Sequence, residues 1–470
     1  MVSSPSWCGG ALLLALLPLA GCRTLSPDGS FYEVADTVQI RLGKDISWDA
    51  GQYVDPSVRA SIEHLLSQSL TAETAVQIAL LNNRELQAVY TDLGIAQANL
   101  VQAGLWKNPI VDGAVTFPTS GSGPTDYTFN IALQVIDILY IPLRKRVAAS
   151  ELEVAKLKVT AEVMGVAGET YLAFIDYLGQ KQLTGVFAQA IQSAKASVET
   201  AKALRRAGNI TAYAYENEVA QQLEVSVRLA QAQTAASQAR ERANRLMGLT
   251  GQQTRWHSVD RLPVPGRELP TDDVETRVIQ ASIDLAAARQ EIITLGHKYQ
   301  VAKATSLVPD LGAGGEITRE EGEREAGPSF EVQLPLFDWG RAKKASARME
   351  ILKAQDRFTA LAVRARSTAR AQRAKLLSSR QTALYYGNTV VPQTQRLLDA
   401  AERQYNAMHI GVFELLQAKQ QQIRAGEQYV RALTTYWRER WRFAQLLRGK
   451  LPDDEQNGGE SVAVSSALED

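Results

Sequence analysis

The chain has 470 residues, long enough for more than one ordinary domain, and its 45% hydrophobic content excludes a disordered polypeptide. Lys plus Arg and Asp plus Glu both total 51, so no net field recruits nucleic acid. The cysteines, Cys8 and Cys22, sit near the N-terminus and the four histidines are scattered, so neither a metal ion nor any other cofactor is expected in the body.

In chain order, Ala11 to Ala20 is an apolar run too short to span a bilayer but suited to a signal-peptide core. It ends in Leu19-Ala20-Gly21-Cys22, which resembles the bacterial lipobox. Residues 1–21 are therefore read as a lipoprotein signal peptide and Cys22 as the lipid attachment site, with acyl chains holding the mature N-terminus at a membrane. No later stretch is long and apolar enough for a transmembrane helix, so any crossing must use β-strands. The stretch from Arg23 to about Val58 lacks periodicity. It predicts an N-terminal extended segment over 22–69, wrapped on the outside of the body.

From Leu70 onward the chain is written twice, at a spacing of close to 200 residues. The first copy takes 70–250 and the second 251–449. Each opens with a helix-like segment stopped by proline: Leu86 to Pro109, then Leu285 to Pro309. An alternating pair follows in each: Ile110 to Phe117 with Tyr127 to Val135, then Asp310 to Thr318 with Ser329 to Leu336. Long helices are predicted from about Leu143 to Arg206 and from about Arg341 to Asn406, and shorter ones near Tyr213 to Met247 and Val412 to Leu447. The junctions align, Ala207-Gly208-Asn209-Ile210 against Ala407-Met408-His409-Ile410. Residues 450–470 are polar and acidic, and a disordered tail is expected.

At 1.5 Å per residue each long helix spans roughly 100 Å, too long for a compact ball, so the body must be elongated. Four strands cannot close a barrel, and an open sheet in lipid leaves unpaired edges that cost several kcal/mol per group. Closure requires several chains.

The duplicated plan, the lipobox, Leu70-Thr71-Ala72-Glu73-Thr74-Ala75-Val76 leading to Leu80-Leu81-Asn82-Asn83, and Pro335-Leu336-Phe337-Asp338-Trp339-Gly340 together resemble the TolC-like outer-membrane efflux proteins. The resemblance implies a mainly α fold with a membrane β-barrel: an elongated trimeric α-barrel in the periplasm plus a shared twelve-stranded β-barrel in the outer membrane of a Gram-negative bacterium. It implies a passive conduit of a tripartite efflux or type I secretion system, partnered by a periplasmic adaptor, an inner-membrane pump and outer-membrane lipid. By the same resemblance Gly208, Asn209, Ile210, Thr211, His409, Ile410 and Gly411 are the adaptor-docking tips. Gly208 and Asn209 suit a left-handed turn, and His409 tolerates one; Met408 stands where the family usually has Gly. Glu414 and Gln417 occupy positions where some members carry inward-facing acids, making them the expected periplasmic gate.

No nucleophile elbow, phosphate loop or zinc motif is present, so no enzyme is expected. The alternative is a lipid-anchored periplasmic adaptor or coiled-coil scaffold, which normally has one helical hairpin rather than two copies of strand pair plus hairpin. Tyr436, Trp437 and Trp441, at helical spacing, are expected to pack against the long helices. Phe337 and Trp339 fit either a lipid–water boundary or a simple strand-to-helix corner.

Overall fold

The computed structural model describes residues 29–49, 55–117, 119, 125–266, 272–306, 311–320, 323–333 and 336–452. Cys22, the signal peptide and 453–470 lie outside the described residues. Two helices stand where an extended segment was expected. The first is α1 (Gly29–Leu42) and the second α2 (Pro56–Ser67). Phe31, Val34, Val38 and Leu42 form a buried stripe at helical spacing on α1, a short period hidden by polar neighbours. After α1 the chain runs extended over 44–49, held by Gln77 and Gln87 side chains bonded to the backbone of Asp45, Ser47 and Asp49.

The body begins with α3 (Ala72–Asn82) and α4 (Arg84–Ala103). Thr71 and Thr74 form a reciprocal capping box at the start of α3. The Asn82-Asn83 pair has a defined task. Asn83 Oδ1 accepts from the backbone N–H of Glu85 at 2.7 Å, capping α4. Its amide nitrogen donates to Leu246 O, while that of Asn82 donates to the carbonyls of Met247 and Gly248. One dipeptide thus starts one helix and satisfies the orphaned end of another.

Strands β1 (Ile110–Thr116) and β2 (Asp126–Gln134) lead into α5 (Ile136–Arg206), 71 residues long, and α6 (Ala212–Leu246) returns along it. Helix α5 starts a full two turns earlier than Leu143, carrying Pro142 within it. The second copy runs α7 (Val274–Ala281), α8 (Ile283–Thr305), β3 (Leu311–Glu320) and β4 (Glu323–Val332). It continues with α9 (Arg341–Tyr385), a π-helical turn at Tyr386–Val390, α10 (Val391–Asn406) and α11 (Val412–Arg448). The π turn falls directly before Val391-Pro392, where proline removes an N–H from the ladder and the helix adds a residue to pass it. β4 begins earlier than Ser329 and includes Pro328, tolerated because β4 is an edge strand.

All four strands form one antiparallel sheet in the order β1-β2-β3-β4. The helices joined to them pack in the matching order α4, α5, α8, α9, so each strand is continued by one helix of a side-by-side array. The core lies where the short helices, the long helices and α1 meet. There Tyr171 stacks on Trp441 at 3.8 Å with rings 6° apart, and Tyr436 is fully buried. Those aromatics are packing residues, as expected. Trp437 leans on Arg440 and donates its indole N–H to Pro263 O.

Candidate functional site

The sheet is the first candidate surface, and its register sorts every side chain onto one of two faces. Val111 pairs with Ile131 and Ile131 with Gly315, while Phe129 pairs with Ile317. With Leu133, Phe330 and Val332, these make one face apolar. The other carries Asn130, Thr128, Thr318, Ser329 and the carboxylates of Asp112, Asp126, Glu316, Glu320, Glu323, Glu325 and Glu331, and no Lys or Arg. On β2 the apolar Phe129, Ile131 and Leu133 are exposed, whereas Thr128, Asn130 and Gln134, which point to the other face, are half-buried. A sheet folded for water would show the reverse arrangement.

Curvature explains that inversion. Ser329 on β4 reaches Asn130 on β2 at 3.1 Å, passing over β3 at Gly314. Strands two apart normally lie more than 9 Å from each other, so the polar face is strongly concave. Gly314 permits it: a Cβ there would stand 2.9 Å from Ser329 Oγ and 3.0 Å from Ala132 Cα. Among the described residues β1 and β4 each have one unpaired edge.

The second candidate surface is the pair of helix–helix turns far from the sheet. In the first, the N–H of Asn209 bonds to Leu204 O at 2.9 Å, with Gly208 left-handed at φ 75°. In the second, the N–H of His409 bonds to Gln404 O at 2.9 Å, with Met408 left-handed at φ 61°. These are the same helix-ending motif 200 positions apart. The left-handed residue is Met408 rather than His409, because the motif places it one position earlier, opposite Gly208. Met408 is 92% exposed.

The other tip residues divide by task. Thr211 spends its hydroxyl capping α6 by accepting from Ala214 N–H. Ile410 turns inward with Leu415 against Leu398, Ala401 and Ala418. Gly208, Asn209, Thr211, His409 and Gly411 are exposed, while Ile210 is half-buried. Glu414 and Gln417 follow on one exposed face of α11, three residues apart. Gln420 donates to Gln221 Oε1, and Arg228 lies 3.5 Å from Glu427, so the two hairpins run abreast and end at one level. Between Ser197 and the tip side of α6, Glu218 is buried, and that desolvation pushes its carboxyl above the ordinary carboxylate range. Met408 and the acidic concave face were absent from the expected site residues. Strand parity alone, applied to the four alternating segments, would have revealed the latter.

Among the described residues no helix is long and apolar enough to cross a membrane, and no three His, Cys, Asp or Glu side chains converge as a metal site. No protein-family model matches the chain, and no curated protein does. Solved structures do. The Campylobacter jejuni CmeC outer membrane channel superposes with a TM-score of 0.68 at 15% identity, covering 82% of this chain and 88% of that one. The Neisseria gonorrhoeae MtrE outer membrane channel, in an open state, gives 0.66 at 14%, covering 81% and 89%. The outer membrane protein VceC of Vibrio cholerae gives 0.60 at 16%, covering 86% and 98%. At such identities the likeness is one of fold. The chain has the outer-membrane channel fold that the TolC-like resemblance implied, with both strand pairs and both hairpins in place.

Proposed function

We propose that this chain is one third of a passive outer-membrane duct, through which an inner-membrane pump and a periplasmic adaptor expel their cargo. A four-stranded sheet with an exposed apolar outside, a concave polar inside and two free edges carries the reading. Such a sheet is stable in hydrocarbon only if neighbouring copies pair with its edges, and three copies make a twelve-stranded wall around a polar lumen. The helix array continues that wall beyond the membrane as a tube. Nothing in the tube is asked to do chemistry, so the chain is not read as an enzyme.

The finer assignments rest on this reading. Cys22, seven residues ahead of α1, is the lipid anchor. The exposed parts of the tips, Gly208, Asn209, Thr211, Met408, His409 and Gly411, meet the adaptor. Ile210 and Ile410 shape those turns from within. Glu414 and Gln417 line the narrow periplasmic end, where three-fold symmetry would bring three copies of Glu414 into one ring.

Reconstitution decides between a duct and a scaffold. The detergent-extracted protein should run as a heat-sensitive trimer and produce discrete conductance steps in a planar bilayer. A detergent-free, monodisperse monomer that never conducts would exclude the duct. For the anchor, C22S should release the mature protein from the membrane-lipid label while leaving the trimer able to form.

A further inference from the structure

The region where strands become helices carries a charge pattern that conduction does not explain. It comprises 95–110, 134–150, 295–306 and 336–350, the last three helical turns before the sheet on four neighbouring helices. Ten Lys and Arg fall there, against three acids, Asp137, Asp338 and Glu350. The chain as a whole has no net charge, so this excess is local.

Four of the ten are engaged inside the chain. Arg144 and Lys107 share Asp137 at 2.9 and 3.4 Å, Lys298 pairs with Glu151 at 2.8 Å, and Lys343 donates to the Thr305 hydroxyl at 3.3 Å. The other six, Lys145, Arg146, Lys303, Arg341, Lys344 and Arg348, make no ion pair or side-chain hydrogen bond among the described residues. Arg146 is two positions from Arg144, hence about 200° around the helix. Arg144 lines a cleft together with Lys298 of α8 and Lys343 of α9, so Arg146 points away from that cleft.

A second observation fixes the height of this belt. Trp106 is 66% exposed, Phe337 fully exposed and Trp339 61% exposed, all between strand ends and helix starts. Exposed amphipathic rings favour the boundary between hydrocarbon and headgroups. Arg341 follows Trp339 after one glycine, on the helix side of the ring, Lys344 and Arg348 come next along α9, and Arg146 lies within α5 beyond its start at Ile136. These basic side chains therefore stand further from the hydrocarbon than the rings do, at the depth of lipid phosphates.

We propose that this unpaired basic belt beneath the aromatic girdle binds the anionic headgroups of phospholipids in the periplasm-facing leaflet. The proposal rests on the outer-membrane reading. It goes beyond it by giving the junction a lipid preference. Each basic side chain near an anionic surface contributes a few-fold in association, and a belt repeated around a trimer multiplies that effect. Conduction needs no such belt. Fixing the barrel's depth and tilt does.

The test titrates the detergent-solubilised oligomer with phosphatidylglycerol or with phosphatidylethanolamine and reads its thermal dissociation midpoint. Phosphatidylglycerol should raise the midpoint more than phosphatidylethanolamine, and salt should weaken the difference. The variant R146Q/R341Q/K344Q/R348Q should need at least about tenfold more phosphatidylglycerol for the same rise. Among the described residues these side chains hold no internal partner, so the variant should assemble normally. A control in the tip half, K195Q/K202Q/R206Q/R403Q, should behave as the parent. Equal response to both lipids, or an unchanged response in the belt variant, overturns the proposal while leaving the duct standing. A parent protein that ignores both lipids and stays monomeric without detergent overturns both.

Discussion

Ser329 and Asn130 are hydrogen-bonded at 3.1 Å although a whole strand lies between them. The bond exists only because Gly314 leaves the intervening strand bare on that face. It ties the two copies of the strand pair to a single curvature, and curvature is what a closed wall requires. G314L should therefore splay the sheet. In outer-membrane fractions the heat-sensitive oligomer should fall by about tenfold or more, as expected when overpacking meets backbone that cannot retreat. Normal oligomer levels would mean that the sheet can curve without this bond.

The concave face should make the pore prefer cations. In the proposed trimer its carboxylates would face one another across a confined lumen, and the described strands place no Lys or Arg on that face, so small anions would meet repulsion there. A potassium chloride gradient across a planar bilayer should give a reversal potential of cationic sign. The triple substitution E316Q/E325Q/E331Q should lower the potassium-to-chloride ratio by about twofold or more. An unchanged ratio would place the selective element elsewhere, with Glu414 the next residue to vary.

Met408 holds a conformation that Gly208 holds without penalty in the matching turn. For a non-glycine residue the left-handed region costs ~1–2 kcal/mol, while glycine adds ~0.5–1 kcal/mol of chain entropy. The strain term is the larger, so M408G should stabilise the second tip, by up to ~1 kcal/mol. Amide exchange at the ends of α10 and α11 should slow by up to about fivefold. Faster exchange would show that the exposed Met408 side chain stabilises the turn through contacts in the trimer.

Glu218 links tip stability to pH. Burial raises its native carboxyl above the unfolded value of about 4.3, partly offset by its bond to Ser197. A raised acid favours the folded state while protonated. Its contribution is complete below the unfolded pKa and is lost as pH rises through the native one. E218Q should therefore raise the thermal midpoint at neutral pH and leave it nearly unchanged near pH 4. Equal effects at both pH values would remove the titration argument.

Sequence alone determined the plan of this molecule. Period two in Ile110 to Phe117 and period 3.6 over the long helices are local signals, and their duplication set the element order twice. The shortage of strands followed by counting, since backbone groups in hydrocarbon must all be paired. Tertiary structure decided what depends on close approach between distant segments. Arg41 is such a case: it donates to the carbonyls of Ala281 and Arg448, closing the ends of α7 and α11. In the first copy Asn82 and Asn83 close the end of α6, and no alignment of the halves equates an arginine from α1 with an asparagine pair. The helix α1 itself was hidden because its stripe is one residue wide and finds meaning only against α4 and α5. Likewise, periodicity separated two faces of the sheet but could not say which was concave. That required Ser329 to reach across Gly314, because curvature belongs to strands acting together.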